Sequence, residues 1–248
     1  MNTERRAVID IGTNSIKLLV ADVTGRRVEP LLERSRQTRL GSGFYETHQL
    51  QPDAIARTVR AVAEFAGQAR HHHPVFTRVI ATSATRDALN AGELTSAIEE
   101  IAGHKVEIIS GEQEADWVFQ GVSSEPEFAG RPLLILDVGG GSSEFILGED
   151  SAKHFRQSYR LGTVRLLELL KPGDPPAAGD LARCRDWLAA FLRREIEPGL
   201  APVLQSPERT GGVQLVGTGG TPGILIRMQL ELADYDRGRM EGARMSLD

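Results

Sequence analysis

The chain has 248 residues, of which 40% are hydrophobic and 25% charged, and its net charge is −5. This usage is that of a globular protein and excludes a disordered, collagen-like or coiled-coil chain. The acidic balance excludes a chain-wide attraction to nucleic acid or to an anionic membrane, so any phosphate site has to be local. The sequence has neither a membrane-spanning apolar run nor a signal segment, and we expect a soluble, cytoplasmic protein. The single cysteine, Cys184, excludes a disulfide framework.

A short internal repeat organises the chain. Residues 7–22 align with residues 134–149, and three identities stand in register: Asp10 with Asp137, Gly12 with Gly139, and Ser15 with Ser142. In both copies an apolar strand reaches an aspartate near its end, a polar glycine-containing turn follows, and a second apolar strand leads away, which is the pattern of a β-hairpin. The repeat predicts two similar lobes, residues 1–123 and 124–248, with the boundary in the turn-rich stretch 123–132.

Strand and helix patterns alternate between the hairpins and after the second one. We expect helices at residues 52–70, near 85–86, and at 111–121, 163–170 and 180–198, with short strands at 78–82, 106–110 and 213–216. Asp180 is expected to cap the last of these helices and Pro198 to end it, and Cys184 is expected in the core. The strand at 213–216 is expected to be buried. This alternation predicts an α/β fold.

The two hairpin turns are candidate phosphate-binding loops. They comprise Gly12, Thr13, Asn14 and Ser15, with Lys17 on the following strand, and Gly139, Gly140, Gly141, Ser142 and Ser143. Glycine lets backbone N–H groups approach an anion closely, and hydroxyl and amide groups add donors. An aspartate beside an anion site requires a bridging hard cation such as Mg²⁺. The alternative is a pair of ordinary glycine turns, which two matched copies make the weaker interpretation.

A third candidate loop, formed by Gly217, Thr218, Gly219 and Gly220, lies between a strand and a helix. The free N–H groups of a helix N-terminus bind anions, although many strand-to-helix turns require glycine for geometry alone.

Four charged residues are candidates for the reaction itself. Glu114 stands in the first turn of a predicted helix, where the helix dipole alone would also favour a carboxylate, and Glu112 is an equal candidate there. Arg86 and Arg165 are expected early in helices, where a cation opposes the dipole. A phosphate partner would explain that placement, and an exposed arginine is the alternative.

Six motifs in order resemble the Ppx/GppA phosphatase family, the exopolyphosphatases and guanosine pentaphosphate phosphohydrolases. They lie at residues 7–22, 81–88, 109–115, 136–144, 161–166 and 217–221. The resemblance implies the actin-like ATPase fold, in which two ribonuclease-H-like lobes enclose the active site in a cleft. Compared with that family the chain stops early, so the second lobe is expected to be truncated.

The resemblance also implies roles for individual residues. Glu114 would position or deprotonate the attacking water, and Arg86 would face the substrate phosphates. Asp10, Asp137 and Glu144 would hold the divalent cation, Mg²⁺ or Mn²⁺. Both hairpin loops would bind phosphate. Arg165 and the third glycine loop stay phosphate-binding candidates on the grounds of their own positions.

The leading hypothesis is therefore a metal-dependent hydrolase that removes terminal phosphate from inorganic polyphosphate or from guanosine pentaphosphate. Polyphosphate comes first, because no guanine pocket is evident. The alternatives are a kinase or ATPase of the same fold and a non-catalytic sensor of a phosphate ligand. We expect neither a nucleic-acid partner nor a membrane partner, and a homodimer is compatible with the sequence.

Overall fold

The computed structural model describes residues 2–206 and 212–246 and contains two mixed β-sheets. The strands of the first sheet are β1 (Glu4–Ile11), β2 (Ser15–Thr24), β3 (Arg27–Gln37), β4 (Phe76–Ala81) and β5 (Val106–Ile108), in the order β3-β2-β1-β4-β5. Those of the second are β6 (Leu133–Val138), β7 (Ser143–Glu149), β8 (Ala152–Tyr159) and β9 (Gln214–Thr218), in the order β8-β7-β6-β9.

The two sheets repeat one topology. Strands β1 and β2 are antiparallel and β4 runs parallel to β1, just as β7 runs antiparallel and β9 parallel to β6. This is the strand order expected of ribonuclease-H-like lobes. The predicted duplication and the actin-like α/β fold are confirmed.

Helices cover the sheets and connect their strands. Those between β3 and β5 are α1 (Phe44–Thr47), α2 (Pro52–Arg70), α3 (Ser83–Asp87) and α4 (Ala91–Ala102). Those that follow are α5 (Gly111–Ser123), α6 (Thr163–Leu170), α7 (Ala178–Phe191), α8 (Glu197–Leu204), α9 (Gly220–Gln229) and α10 (Arg237–Met240). No helix in the described parts of the chain is both long and apolar enough to cross a membrane.

The first core lies between the first sheet and α2. One face of α2, with Ile55, Val59, Val62 and Ala66, is buried against strand residues such as Ile9. Burying one such aliphatic side chain stabilises the fold by about 1.5–3 kcal/mol, so this layer gives the first hairpin a rigid support.

Helix α5 belongs by packing to the second sheet, although it precedes the predicted boundary. Ala115 and Phe119 pack with Leu133, Ile135 and Ile146. The lobe division at residues 123 and 124 remains a prediction. The consequence for the site is that the first turn of α5 is held against the second sheet, while α3 follows a strand of the first.

Three predictions about α7 and α8 are wrong. Asp180 lies inside the first turn of α7, where its carboxylate accepts hydrogen bonds from the N–H groups of Gly173 and Ala177 at 3.1 Å. Pro198 lies in the first turn of α8, which follows a π-helical segment, Leu192–Ile196, and proline is tolerated in a first helical turn. Cys184 is half-buried rather than in the core.

The strands also differ from expectation. The strand predicted to be buried at 213–216 is the half-exposed edge strand β9, and Leu215 faces solvent. Strands β3 and β8 were not predicted at all. Their exposed residues carry many charges and lack the alternation that marks a half-buried strand.

Candidate active site

The two hairpin turns have the same backbone geometry. The N–H of Gly12 donates to the carbonyl of Ser15 at 3.0 Å, and the N–H of Gly139 donates to the carbonyl of Ser142 at 3.1 Å. These bonds close equivalent turns at the ends of β1 and β6. The repeat found in the sequence therefore extends to individual hydrogen bonds.

The aspartates of the two turns lie close to each other. Burial raises the pKa of Asp10 and of Asp137, the charge of Asp10 raises the pKa of Asp137 further, and Lys17 opposes the shift at both carboxyls. Lys17 itself is exposed, opposite Asp10 in the strand register. One oxygen of Asp10, Oδ1, is buried and has no hydrogen-bond partner among the residues that the structure describes. A carboxylate oxygen in that position can bind a cation.

The three predicted metal ligands do not form a preassembled site. Within the described residues no group of three or more histidine, cysteine, aspartate or glutamate side chains is arranged to hold a metal. Glu144 is only 1% exposed, and its Oε1 accepts a hydrogen bond from Ser158 at 2.7 Å. Asp10 and Asp137 remain as oxygen donors. Because Mg²⁺ is commonly held by one or two carboxylates together with water and substrate phosphate, two aspartates fit this ion.

Glu114 and Arg86 meet at the N-terminus of α5. Arg86 donates through Nη1 to the carbonyl of Ile109 at 2.9 Å and to Oε2 of Glu114 at 3.2 Å. It lies in the last turn of α3, so its predicted place early in a helix is wrong. Ser110 caps α5 by accepting a hydrogen bond from the N–H of Gln113 at 3.1 Å. These contacts hold the Glu114 side chain rather than leaving it free at the helix end.

Like charges crowd around Glu114. Burial and the neighbouring Glu144 raise the pKa of Glu114 to about 8, against the opposing effect of Arg86. Burial also raises the pKa of Glu144 to about 7, opposed by the hydrogen bond from Ser158. A carboxyl with a pKa near neutrality is suited to exchanging a proton with water or substrate.

The alternative carboxylate, Glu112, lies outside this cluster. Its side chain is 74% exposed and contacts Arg156 at 3.5 Å, whereas the Glu114 side chain is 18% exposed. Of these two carboxylates, Glu114 is therefore the one that is held among the other charged groups of the candidate site.

The third glycine loop meets Asp137. Thr218 is its register partner between β9 and β6, and Gly219 precedes α9 with a φ of +89°. A Cβ atom on Gly219 would lie 2.1 Å from Oδ1 of Asp137, so only glycine fits. Gly217 and Gly220 are exposed.

The first and second hairpin loops touch each other. A Cβ on Gly141 would lie 2.5 Å from Oγ1 of Thr13 and 2.6 Å from Oγ of Ser83, and Gly140 packs against Thr13 and Asn14. The two predicted phosphate loops thus pack against each other.

Two predicted phosphate ligands also have partners within the protein. The hydroxyl of Ser143 is buried and donates to the carbonyl of Leu161 at 2.6 Å. Arg165 bonds to the carbonyl of Gly141 and to Asp87.

Sequence reasoning missed Asp87, Tyr45, Ser83 and Ser158. The one available signal was that Asp87 directly follows Arg86.

Comparisons with known proteins agree with this geometry. The model of the Ppx/GppA phosphatase family matches residues 19–237. Exopolyphosphatase 2 of Mycobacterium tuberculosis is 35% identical over 254 residues, which cover 99% of this chain and 77% of the relative. The guanosine-5'-triphosphate,3'-diphosphate pyrophosphatase of Vibrio vulnificus is 29% identical, over 92% of this chain and 44% of its own length.

Solved structures give the same result. A crystal structure of an exopolyphosphatase-like protein matches with a TM-score of 0.82 and 32% identity, over 95% of this chain and 72% of that one. An exopolyphosphatase from Cytophaga hutchinsonii matches with a TM-score of 0.80 and 27% identity, over 95% and 74%.

Proposed function

Since the chain belongs to the Ppx/GppA phosphatase family and is a phosphoanhydride hydrolase, we propose that it releases terminal phosphate from inorganic polyphosphate. The observation that carries this proposal is the pairing of Glu114 with Arg86 beside Asp10, at two facing phosphate loops. Guanosine pentaphosphate is the second substrate. The relatives named for it share a smaller part of their length with this chain than Exopolyphosphatase 2 does.

Glu114 acts on the attacking water in this proposal. Its carboxylate accepts a hydrogen bond or a proton from the water, and its raised pKa makes it a stronger base than an exposed glutamate. Arg86 holds that carboxylate in place and offers its remaining N–H groups to the phosphoryl oxygens. Backbone N–H groups of the two loops face the charge that develops on the phosphorus.

The phosphatases of this family are metal-dependent, and Asp10 and Asp137 are the residues that would hold the cation. A divalent cation there would neutralise phosphate oxygens that two carboxylates would otherwise repel. We favour Mg²⁺ over Mn²⁺ because oxygen donors and phosphate suit it. Glu144 is buried next to Asp137 and adds a further carboxyl group to the acidic region.

The proposal is tested by measuring phosphate release from polyphosphate and from guanosine pentaphosphate side by side. We expect turnover of polyphosphate with the higher kcat/KM. Glu114→Gln is the matched control for contaminating phosphatases. Phosphoryl transfer from ATP to an alcohol would instead establish a kinase, and tight binding without turnover would establish a sensor. A cytoplasmic location and a homodimer remain predictions.

A further inference from the structure

Two of the three guanidinium nitrogens of Arg165 are bonded to other protein groups. Its Nε donates to the carbonyl of Gly141 at 2.9 Å, its Nη2 pairs with Asp87 at 3.0 Å, and its guanidinium lies 4.2 Å from the ring centre of Tyr45. Both members of the ion pair are largely buried, with 16% of the Arg165 side chain and 14% of the Asp87 side chain exposed. Its Nε, its Nη2 and one face of its guanidinium therefore already have partners within the protein.

The elements that these partners belong to are those that carry the site. Asp87 ends α3 directly after Arg86, Gly141 belongs to the second phosphate loop, and Tyr45 lies on α1 of the first lobe. One turn along α6, Glu168 accepts hydrogen bonds from the N–H groups of Gly43 at 2.5 Å and Tyr45 at 3.0 Å. Helix α6 thus connects both lobes at the level of the phosphate loops.

We infer that Asp87 and Arg165 form a positioning pair, which sets the second phosphate loop against Arg86, and that Arg165 is not itself a phosphate ligand. The continuous path runs from Arg86 through Asp87 and Arg165 to the carbonyl of Gly141. A shift of the loop relative to Arg86 would misalign the groups that stabilise the transferred phosphoryl group, and misplacement by about 1 Å can cost on the order of 100-fold in rate.

Asp87→Asn distinguishes a phosphate-binding role of Arg165 from a positioning role, because the two roles predict different changes in KM and kcat. If Arg165 binds phosphate, this change would free its guanidinium from the competing charge of Asp87. Substrate would then bind more tightly, and KM would fall. A positioning pair predicts a fall in kcat of about tenfold or more, with KM changed by less than about threefold. This readout rests on the proposed hydrolase function.

Arg165→Lys and a double-mutant cycle complete the kinetic test. Lysine keeps the charge but cannot bond to Asp87 and Gly141 at once or stack on Tyr45, so we expect it to be nearly as harmful as Arg165→Ala. The double variant Asp87→Ala, Arg165→Ala should lose little more activity than the worse single variant. Additive losses, a lower KM in Asp87→Asn, or substantial rescue by lysine would overturn the inference.

Arg36→Ala is the matched control. Arg36 pairs with Glu64 at 2.6 Å and lies 5.6 Å from the ring centre of Phe65, so it makes the same kinds of contact within one lobe. We expect its loss to leave kcat unchanged.

A second readout does not depend on hydrolysis. Amide hydrogen exchange at residues 139–143 should quicken in Asp87→Asn and not in Arg36→Ala, at matched thermal stability. If the wild-type protein hydrolyses neither substrate, the proposed function fails while the exchange result still decides the pairing. Unchanged exchange in this loop would reject the positioning pair even in an active enzyme.

Discussion

At the scale of single residues, the site depends on carboxyl groups held where their charge is unfavourable. Glu114 is buried near Glu144 and Asp10, and Arg86 opposes the repulsion. Such a group is a better base because its deprotonated form is destabilised. The same crowding costs stability, so substitutions here have opposite effects on activity and on folding.

Glu114→Gln should lower kcat by about 10²–10⁴ while leaving substrate affinity nearly unchanged. The amide keeps the size of the side chain but cannot accept the proton. Asp10→Asn should weaken both affinity and rate, since it would remove a proposed cation ligand. Turnover and binding titrations of both variants test this. Normal turnover in Glu114→Gln would contradict the assigned role.

The raised pKa of Glu114 also predicts a pH-dependent difference in stability. The pKa of this group rises from 4.5 to about 8 on folding, so between these values the folded protein holds more protons than the unfolded one. Its contribution to the free energy of unfolding is therefore complete below pH 4.5 and is lost as pH rises through about 8.

Glu114→Gln should remove this loss. Relative to wild type, the variant should gain at least about 1 kcal/mol in the free energy of unfolding between pH 5 and pH 9, which corresponds to less than one pKa unit. Denaturant unfolding at both pH values measures the gain. A difference that is constant with pH would contradict the raised pKa.

Residue roles were only partly predictable from sequence. Glu112 and Glu114 share a first helical turn, and periodicity alone could not separate them. Tertiary packing decides between them, because it leaves Glu112 exposed to solvent and buries Glu114 in the candidate site. The partner of Arg165 was equally hidden, because Asp87 lies 78 residues away along the chain.

At the scale of elements, the contact between the two loops sets a close limit on side-chain size. Gly141→Ala would place a methyl group 2.5–2.7 Å from Thr13, Ser83 and Tyr45 at once. We expect it to separate the loops and to reduce kcat by about tenfold or more, with a lower melting temperature. Steady-state kinetics and thermal unfolding measure both effects.

Gly121→Ala is the control for this substitution. It lies within α5, and apart from its chain neighbours and the backbone of α5 itself, no atom of the described residues is within 4 Å of the added Cβ. Alanine should there raise stability by about 0.5–1 kcal/mol and leave the rate unchanged. If Gly141→Ala left kcat and the melting temperature as high as Gly121→Ala does, the close contact between the two loops would not be needed for activity or stability.

Elements with strong periodicity were predictable, and edge elements were not. Both hairpins, α2 and α6 lie where their patterns predicted. Strand β3 lies at a sheet edge with nearly every residue exposed, so nothing in its sequence alternates. The hydrophobic pattern reports burial, and it is weakest where pairing alone makes a strand.

At the scale of the whole molecule, duplication places two equivalent turns around one cleft, and divergence makes them different. Lys17 stands opposite Asp10 in the first hairpin, and Glu144 stands opposite Asp137 in the second. One lobe therefore offers a cation where the other adds an acid. Because of this asymmetry, a polyanion bound between the two turns would meet a positive charge on one side and an additional carboxyl group on the other.

The acidic cleft predicts a requirement for a divalent cation. Chelation should abolish hydrolysis, and Mg²⁺ should restore it, because Asp10 and Asp137 otherwise repel the substrate. Phosphate release after exhaustive chelation, and after titration with Mg²⁺ or Mn²⁺, tests this. Full activity without any cation would contradict it.

The charge of the whole chain predicts how polyphosphate is degraded. With a net charge of −5 the protein attracts the polymer only locally. Many surface arginines are also paired with acids, such as Arg36 with Glu64 and Arg78 with Glu107. We therefore expect the protein to lack a long cationic track, so that a long polyphosphate dissociates after each cleavage and short chains compete well with long ones. Gel analysis of a defined long chain should show intermediates of every length early in the reaction.

Complete digestion of some chains beside intact ones, at protein concentrations where the enzyme is monomeric, would contradict this. If that pattern appeared only at concentrations that favour self-association, a groove shared between two copies would supply the missing track.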